Sequence, residues 1–203
     1  MSQLSYGTFE SLVLGIKLKD AVILAGTKRV SYGYLVMSQA GKTVYLINGQ
    51  GVAFAGHIAD IQDLVRQLRV EVGLLETMLG RKVNATALAN RLGVFLYSWK
   101  IFPHAAFAIV GGFDYYPKPV PKLYSLDPVG SVMEEDYTAT GFSADIAIGV
   151  LEDGYSKDLS IEEGRNLVIT ALKSVSQRDA LAGKMIDLAI IKKDKATIEV
   201  VKI

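Results

Sequence analysis

The sequence predicts an α+β protein in which two antiparallel sheets face each other and each is covered by a pair of helices. Strand-like and helix-like segments alternate in blocks, in the order strands, two helices, strands, two helices, strands. Segregated blocks favour an α+β fold over a parallel βαβ fold. Residues 21–25 are also continuously apolar, which is typical of a strand covered on both faces. Stacked sheets with outer helices would bury every apolar face.

The N-terminal quarter reads as a meander of strands built on a hairpin over residues 11–25. Leu12, Leu14, Ile16 and Leu18 share one face of its first strand, because side chains alternate along a strand. The opposite face carries Ser11, Val13, Gly15 and Lys17, and Lys19-Asp20 forms the polar turn. Shorter strands are predicted at residues 35–37, 43–47 and 51–55, with Asn48-Gly49 as a hairpin turn.

The remaining elements follow from periodicity and from helix-terminal signals. Apolar residues at helical spacing predict a helix over about 59–79, ended by Gly80. Asn84 is the expected N-cap of a second helix to about residue 99. Strands are predicted at 105–110, 122–126 and roughly 131–140, followed by a helix over about 144–155. Ser160 and Glu163 fit a capping box that starts a fourth helix to about 177. The last strands are expected at 185–192 and 197–203.

Composition excludes several classes of function. The chain has 203 residues of uniform composition, half of them hydrophobic, which predicts one domain with a large core. The 22 basic residues are balanced by 21 acidic residues, and the basic residues form no stripe or run along the sequence. A nucleic-acid partner is therefore not expected. The chain has no cysteine, and its two histidines, His57 and His104, lie far apart, which argues against a metal site. Without a signal peptide or an apolar run of about 18 residues, we expect a cytoplasmic protein with no membrane partner.

Three other features have a structural interpretation that outweighs the functional one. The segment 110–113 (VGGF) could suggest a phosphate loop, but the chain has no GxGxxG or GxxxxGK[ST] motif, so a turn at a strand end is predicted. The acidic cluster Glu134, Glu135 and Asp136 could bind a cation, but a solvated turn is favoured. Tyr115 and Tyr116 are interpreted as loop or interface anchors.

Six segments of the sequence resemble a β subunit of the proteasome core particle, of the archaeal type. They are residues 15–25 (GIKLKDAVILA), 55–62 (AGHIADIQ), 110–114 (VGGFD), 123–130 (LYSLDPVG), 149–152 (GVLE) and 178–179 (RD). The resemblance covers about residues 13–191. It implies the four-layer αββα sandwich of N-terminal-nucleophile hydrolases over residues 11–203, preceded by a short propeptide-like extension at 1–10. It also implies stacked heptameric rings shared with α subunits and catalytic β subunits, unfolded protein substrates in their chamber, and no cofactor.

The resemblance implies a catalytic threonine that becomes the first residue after self-cleavage and uses its own amine as the base. In this chain the nucleophile position falls on Ser11, which follows Glu10 and not a glycine. A Gly7-Thr8 pair exists three residues earlier, roughly 10 Å away along an extended strand. Thr8 could act only if the chain bulged at this point.

The supporting positions of the family are partly kept and partly altered. Arg29, the oxyanion glycine Gly56 and Asp179 match the family. The aspartate position is Thr27, the lysine position is Thr43, and the two serine positions are Phe142 and Ala182. Lys42 is adjacent to the lysine position, but a shift of one residue points it to the opposite face. We therefore expect a non-catalytic β subunit. The alternatives are an active threonine-type endopeptidase that uses Thr8 or Ser11, and an unrelated α+β protein.

Overall fold

The computed structural model describes residues 9, 10, 12–33 and 35–203, and it confirms the predicted four-layer architecture. The strands of the first block are β1 (Phe9–Glu10), β2 (Leu12–Lys17), β3 (Ala21–Thr27), β4 (Val30–Tyr32), β5 (Leu35–Ser38), β6 (Val44–Ile47) and β7 (Gln50–His57). Helices α1 (Ile58–Leu79) and α2 (Ala85–Ser98) follow. The second block has β8 (Ala106–Asp114), β9 (Val120–Leu126), β10 (Val132–Glu134) and β11 (Tyr137–Gly141), then α3 (Ala144–Gly154) and α4 (Ile161–Arg178). Strands β12 (Met185–Lys192) and β13 (Ala196–Lys202) come last.

The strands form two antiparallel sheets. The large sheet has the order β10-β9-β8-β7-β1-β4-β5, with β6 also paired to β7. The small sheet has the order β11-β2-β3-β12-β13. The predicted hairpin therefore lies inside the small sheet, where β3 is flanked by β2 and β12.

Three apolar layers hold the sandwich together. Leu12, Leu14 and Ile16 of β2 pack under α3 and α4, as their alternation predicts. Val13, on the other face of β2, joins Leu24 and residues of the large sheet in the layer between the sheets. A third layer joins the large sheet to α1 and α2. Burial on both faces explains why β3 is apolar without interruption.

The predicted helix boundaries are confirmed by their capping geometry. Gly80 ends α1 in the left-handed conformation, with φ 62°. The side chain of Asn84 accepts a hydrogen bond from the Ala87 N–H at 2.8 Å. Ser160 and Glu163 form the capping box of α4. Within the described residues, no helix combines the length and the apolar character needed to cross a membrane.

The single strand predicted at residues 131–140 is wrong, because two strands of different sheets occupy this region. Strand β10 pairs with β9 in the large sheet, and β11 pairs with β2 in the small sheet. The crossing is fixed by Lys17, whose backbone N–H donates to the Asp136 carbonyl at 2.8 Å. Its side chain, only 10% exposed, reaches Asp136 at 2.9 Å and Glu134 at 3.4 Å.

Two of the three acidic side chains, Glu134 and Asp136, are therefore paired with lysines, and Glu135 lies 3.5 Å from the Ser125 hydroxyl. Besides Lys17, Lys122 contacts Glu134 at 2.9 Å. The hydrogen bond from Lys122 lowers the pKa of the Glu134 carboxyl, and the hydrogen bond from Lys17 lowers that of Asp136. These carboxylates close the β10–β11 connection, and the described residues contain no group of three His, Cys, Asp or Glu that could hold a metal ion.

The turn predicted at residues 110–113 is also wrong, because β8 continues to Asp114. A Cβ atom at Gly112 would lie 1.7 Å from the Oε1 atom of Gln50, and one at Gly111 would lie 2.6 Å from Val22. Gln50 is buried and accepts from the Phe113 N–H at 2.8 Å. The glycines therefore let neighbouring layers approach β8 and do not end the strand.

Tyr155 joins the end of α3 to β2 through a hydrogen bond from its hydroxyl to the Lys17 carbonyl at 2.6 Å. Burial raises the pKa of this phenol to about 12. We expect Tyr155→Phe to lower the free energy of unfolding at pH 7 by about 0.5–1.5 kcal/mol, the usual net value of a hydrogen bond. Urea unfolding followed by circular dichroism measures the change.

The pH dependence gives the control. The folded-state pKa lies above the unfolded value of about 10, so the stabilisation is fully present below pH 10 and is lost as the pH rises through 12. The phenylalanine variant should therefore lose less stability than the wild type over this range. Tyr116→Phe, at an exposed ring, should match the wild type. Equal stability of Tyr155→Phe and wild type at pH 7 would contradict this account.

Candidate functional site

The family positions converge at one end of the two sheets. Thr27 ends β3, Gly56 lies near the end of β7, and Asp179 directly follows α4. The two sheets meet there around position 11, because Glu10 belongs to the large sheet and Leu12 to the small sheet. Ser11 and Thr8, the two candidate nucleophiles, lie outside the described residues.

Strand β1 occupies the gap between β4 and β7. Phe9 is paired with Ser31 on one side and with His57 on the other, and Glu10 is paired with Val30 and Gly56. Both backbone edges of this short strand are therefore used. Phe9 and Glu10 therefore lie as a strand directly beside Gly56, which the resemblance places at the family's oxyanion position.

Gly56 has a structural reason to be glycine. Its φ of 137° lies in a region that other residues rarely adopt, and a Cβ atom would lie 2.1 Å from the Ala105 carbonyl oxygen. The next residue, His57, donates its N–H to the same carbonyl at 2.7 Å. The close approach of the segment before β8 therefore requires a glycine at position 56, independently of any catalytic role of this residue.

Thr27 and Thr43, which the resemblance places at the family's charged positions, are fully buried. Thr43 donates its backbone N–H to the Oδ2 atom of Asp187 at 3.0 Å, and its hydroxyl lies 3.5 Å from the same oxygen. A Cβ atom added to Gly26 would lie only 2.7 Å from the Thr43 hydroxyl. Lys42 is exposed, with its ammonium 5.3 Å from the centre of the Tyr45 ring. Thr43 therefore packs directly against Gly26 and Asp187.

A buried ion pair beside Thr43 was missed by sequence reasoning. The Lys28 ammonium lies 2.7 Å from the Oδ1 atom of Asp187, and the two side chains are only 13% and 3% exposed. Strand pairing places Asp187 opposite Gly26. The partners are 159 residues apart in sequence, so no local motif connects them. The one available signal was a single aspartate inside the apolar strand β12.

Arg29 and Asp179 both hold the loop that follows α4. Arg29 donates to the Ala180 carbonyl at 2.7 Å, and the Oδ1 atom of Asp179 accepts from the Leu181 N–H at 2.7 Å. No ion pair joins Arg29 to Asp179 in the described part of the chain. The Nε atom of Arg29 and the Oδ2 atom of Asp179 are buried without a hydrogen-bond partner there. Each such atom carries a desolvation cost.

The two residues that the resemblance places at the family's serine positions differ in burial. Phe142 directly follows β11 and is 41% exposed. Ala182 is buried in the apolar layer under α3 and α4, and its N–H donates to the Asp179 carbonyl at 3.2 Å. Neither side chain can donate or accept a hydrogen bond.

Comparison with known proteins finds similarity to proteasome subunits over most of the chain. The family profile of proteasome subunits matches residues 11–191. Proteasome subunit beta 1 of Hyperthermus butylicus is 40% identical over 195 residues, which cover 96% of this chain and 94% of that protein. Proteasome subunit beta 2 of Pyrobaculum aerophilum is 40% identical over 191 residues, covering 94% and 93%. Proteasome subunit beta 1 of Desulfurococcus amylolyticus is 41% identical over 182 residues, covering 89% of each chain.

The Lys28–Asp187 pair provides a direct test of how this site is held. We expect Asp187→Ala to lower the free energy of unfolding by about 3–5 kcal/mol, because it leaves a buried ammonium without its partner. Lys28→Met should cost about 3 kcal/mol for the converse reason. The double variant should cost less than the sum, with a coupling of about 0.5–3 kcal/mol. Urea unfolding of the four proteins gives the cycle.

The matched control is Lys193→Met in the exposed turn between β12 and β13, which should change stability by no more than about 0.5 kcal/mol. Additive losses in the double variant would show that Lys28 and Asp187 do not stabilise each other.

Proposed function

The chain belongs to the proteasome β-subunit family, and from this premise we propose that it is a non-catalytic member. In this proposal the chain completes β rings together with catalytically competent β subunits and stacks on rings of α subunits in the cytoplasm. The assembled particle degrades unfolded proteins in its chamber. This subunit shapes the chamber wall and supports its neighbours without cleaving peptides itself.

The observation that carries the proposal is the environment of Thr43. The family's chemistry needs a lysine ammonium beside the nucleophile, and this position holds a buried threonine whose N–H is bound to Asp187. The ammonium of Lys28 is bound to the other oxygen of the same carboxylate. Thr27 takes the place of the aspartate that would orient the lysine. A hydroxyl at position 11 would thus lack the charged pair that activates it in the family.

The position of β1 supports retention of the N-terminal segment. Self-cleavage would need the same activated hydroxyl that the altered positions fail to provide. We therefore propose that residues 1–10 stay attached as a propeptide-like extension to the domain formed by residues 11–203. With Phe9 and Glu10 paired to both β4 and β7, no free strand edge is left there for another extended chain.

An active threonine-type endopeptidase is the second candidate, and one observation favours it. The buried Oδ2 atom of Asp179 has no hydrogen-bond partner among the described residues, so it could accept from an amine or hydroxyl at position 8 or 11. Gly56 and Arg29 are also kept. Against this candidate stand the substitutions at Thr27, Thr43, Phe142 and Ala182.

Variants of the two possible nucleophiles distinguish these candidates. In particles assembled with a catalytic β partner, we expect Ser11→Ala and Thr8→Ala to leave peptide hydrolysis unchanged. Removal of the partner's N-terminal threonine should abolish hydrolysis, because loss of a nucleophile commonly costs several orders of magnitude in rate. Ser11→Thr should create no new activity. The measurement is the initial rate of hydrolysis of fluorogenic peptides.

Loss of hydrolysis in Ser11→Ala or Thr8→Ala, with the partner's threonine intact, would show that this subunit is an enzyme. Native gel electrophoresis of each particle is the control, since it shows that the variants assemble equally.

A further inference from the structure

The β6–β7 hairpin carries an asparagine followed by a glycine at its tip. Strand pairing ends at Ile47 and Gln50, so Asn48 and Gly49 form a two-residue turn. Their φ values of 49° and 91° are close to those of a type I′ turn, the geometry that an Asn-Gly pair favours. Asn48 is exposed, and a Cβ atom at Gly49 would meet nothing within 4 Å. Water therefore reaches both residues of the turn.

The Asn48 side chain connects this turn to the end of α1. Its Nδ2 atom donates to the Oε2 atom of Glu76 at 2.7 Å. The other oxygen of the same carboxylate, Oε1, accepts from the Val83 N–H at 2.8 Å. One carboxylate thus joins the β6–β7 hairpin, helix α1 and the connection between α1 and α2. The hairpin takes part in this contact only while the side chain at residue 48 is a hydrogen-bond donor.

An asparagine that precedes a glycine can be modified without an enzyme. The backbone nitrogen of Gly49 attacks the side-chain carbonyl carbon of Asn48 and loses its proton to solvent. The new C–N bond closes a succinimide ring, and the side-chain nitrogen takes up a proton and leaves as ammonia. Water then opens the ring at either of its two carbonyls, which gives aspartate or isoaspartate. Water is the one co-reactant, and asparagine counts among the thermolabile residues.

The other three asparagines of the chain lack these features. Asn84, Asn90 and Asn166 are followed by alanine, arginine and leucine, whose side chains hinder attack by the backbone nitrogen. The nitrogens that follow Asn90 and Asn166 lie inside α2 and α4, where helical hydrogen bonds hold them. The Asn84 side chain accepts from the Ala87 N–H as a helix cap. Gly49 has no side chain, and its nitrogen lies outside the pairing of β6 with β7.

We propose that Asn48 is a site of spontaneous deamidation, and that the product releases the β6–β7 hairpin from the end of α1. Deamidation replaces the donor at residue 48 by a carboxylate, which faces the Glu76 carboxylate and repels it. Isoaspartate also adds a backbone atom to a turn of two residues, whose length sets the register of the hairpin. The modification accumulates with the age of the chain and is independent of its catalytic status.

Timed incubation of the full-length chain tests the modification. The folded chain is kept in mildly alkaline buffer, digested under mildly acidic conditions that stop the reaction, and mapped by liquid chromatography and mass spectrometry. Asn48 should convert at least tenfold faster than Asn84, Asn90 or Asn166, with both aspartate and isoaspartate at residue 48. Asn48→Gln is the matched control, because its longer side chain closes a ring more slowly, and it should release at least tenfold less ammonia. Conversion at residue 48 no faster than at the other three asparagines would overturn the proposal.

An aspartate placed at residue 48 tests the effect on the fold. Asn48→Asp should lower the midpoint of urea unfolding at neutral pH, because two carboxylates then face each other. Adding Glu76→Gln should restore the midpoint, since the amide and the carboxylate are exchanged and the amide oxygen can still accept from the Val83 N–H. Asn90→Asp adds the same charge at an exposed position of α2 and should match the wild type. A midpoint of Asn48→Asp equal to that of the wild type would contradict release of the hairpin.

Discussion

The candidate site depends on the buried contacts that the Asp187 carboxylate makes with Lys28 and Thr43. A buried carboxylate is costly unless it is paired and hydrogen-bonded. Here Lys28 supplies the charge at 2.7 Å, and the Thr43 N–H supplies a hydrogen bond at 3.0 Å. The carboxylate thereby joins the end of β3, the chain before β6, and β12. This arrangement leaves no described ammonium at the lysine position of the family.

At the same end of the sandwich, the residues that match the family have structural contacts of their own. Gly56 is required by the Ala105 carbonyl, and Arg29 and Asp179 hold the loop after α4. These residues would therefore persist for structural reasons in a subunit without activity. The substitutions at Thr27, Thr43 and Ala182 are buried and fit their surroundings.

Most of the fold could be predicted from local patterns, because alternation and capping are local. The faces of β2, the caps at Gly80, Asn84 and Ser160, and the four layers follow from such patterns. The failures involve contacts between distant segments. Lys17 contacts Glu134 and Asp136 at the point where the chain passes from the large sheet to the small sheet. The glycines of β8 are needed because Val22 and Gln50 lie too close for a Cβ atom. The Lys28–Asp187 pair could not be predicted from sequence, since strand pairing alone brings its partners together.

The N-terminus of the chain in the assembled particle tests the central claim most directly, because self-cleavage is the first reaction that a competent nucleophile would perform. Intact-mass spectrometry combined with N-terminal sequencing of the chain purified from the particle gives the answer. A lack of activity predicts a chain that still carries residues 2–10, with Phe9 and Glu10 in place between β4 and β7. A chain that begins at Thr8 or Ser11 would contradict the account, since the site would then have cleaved its own peptide bond.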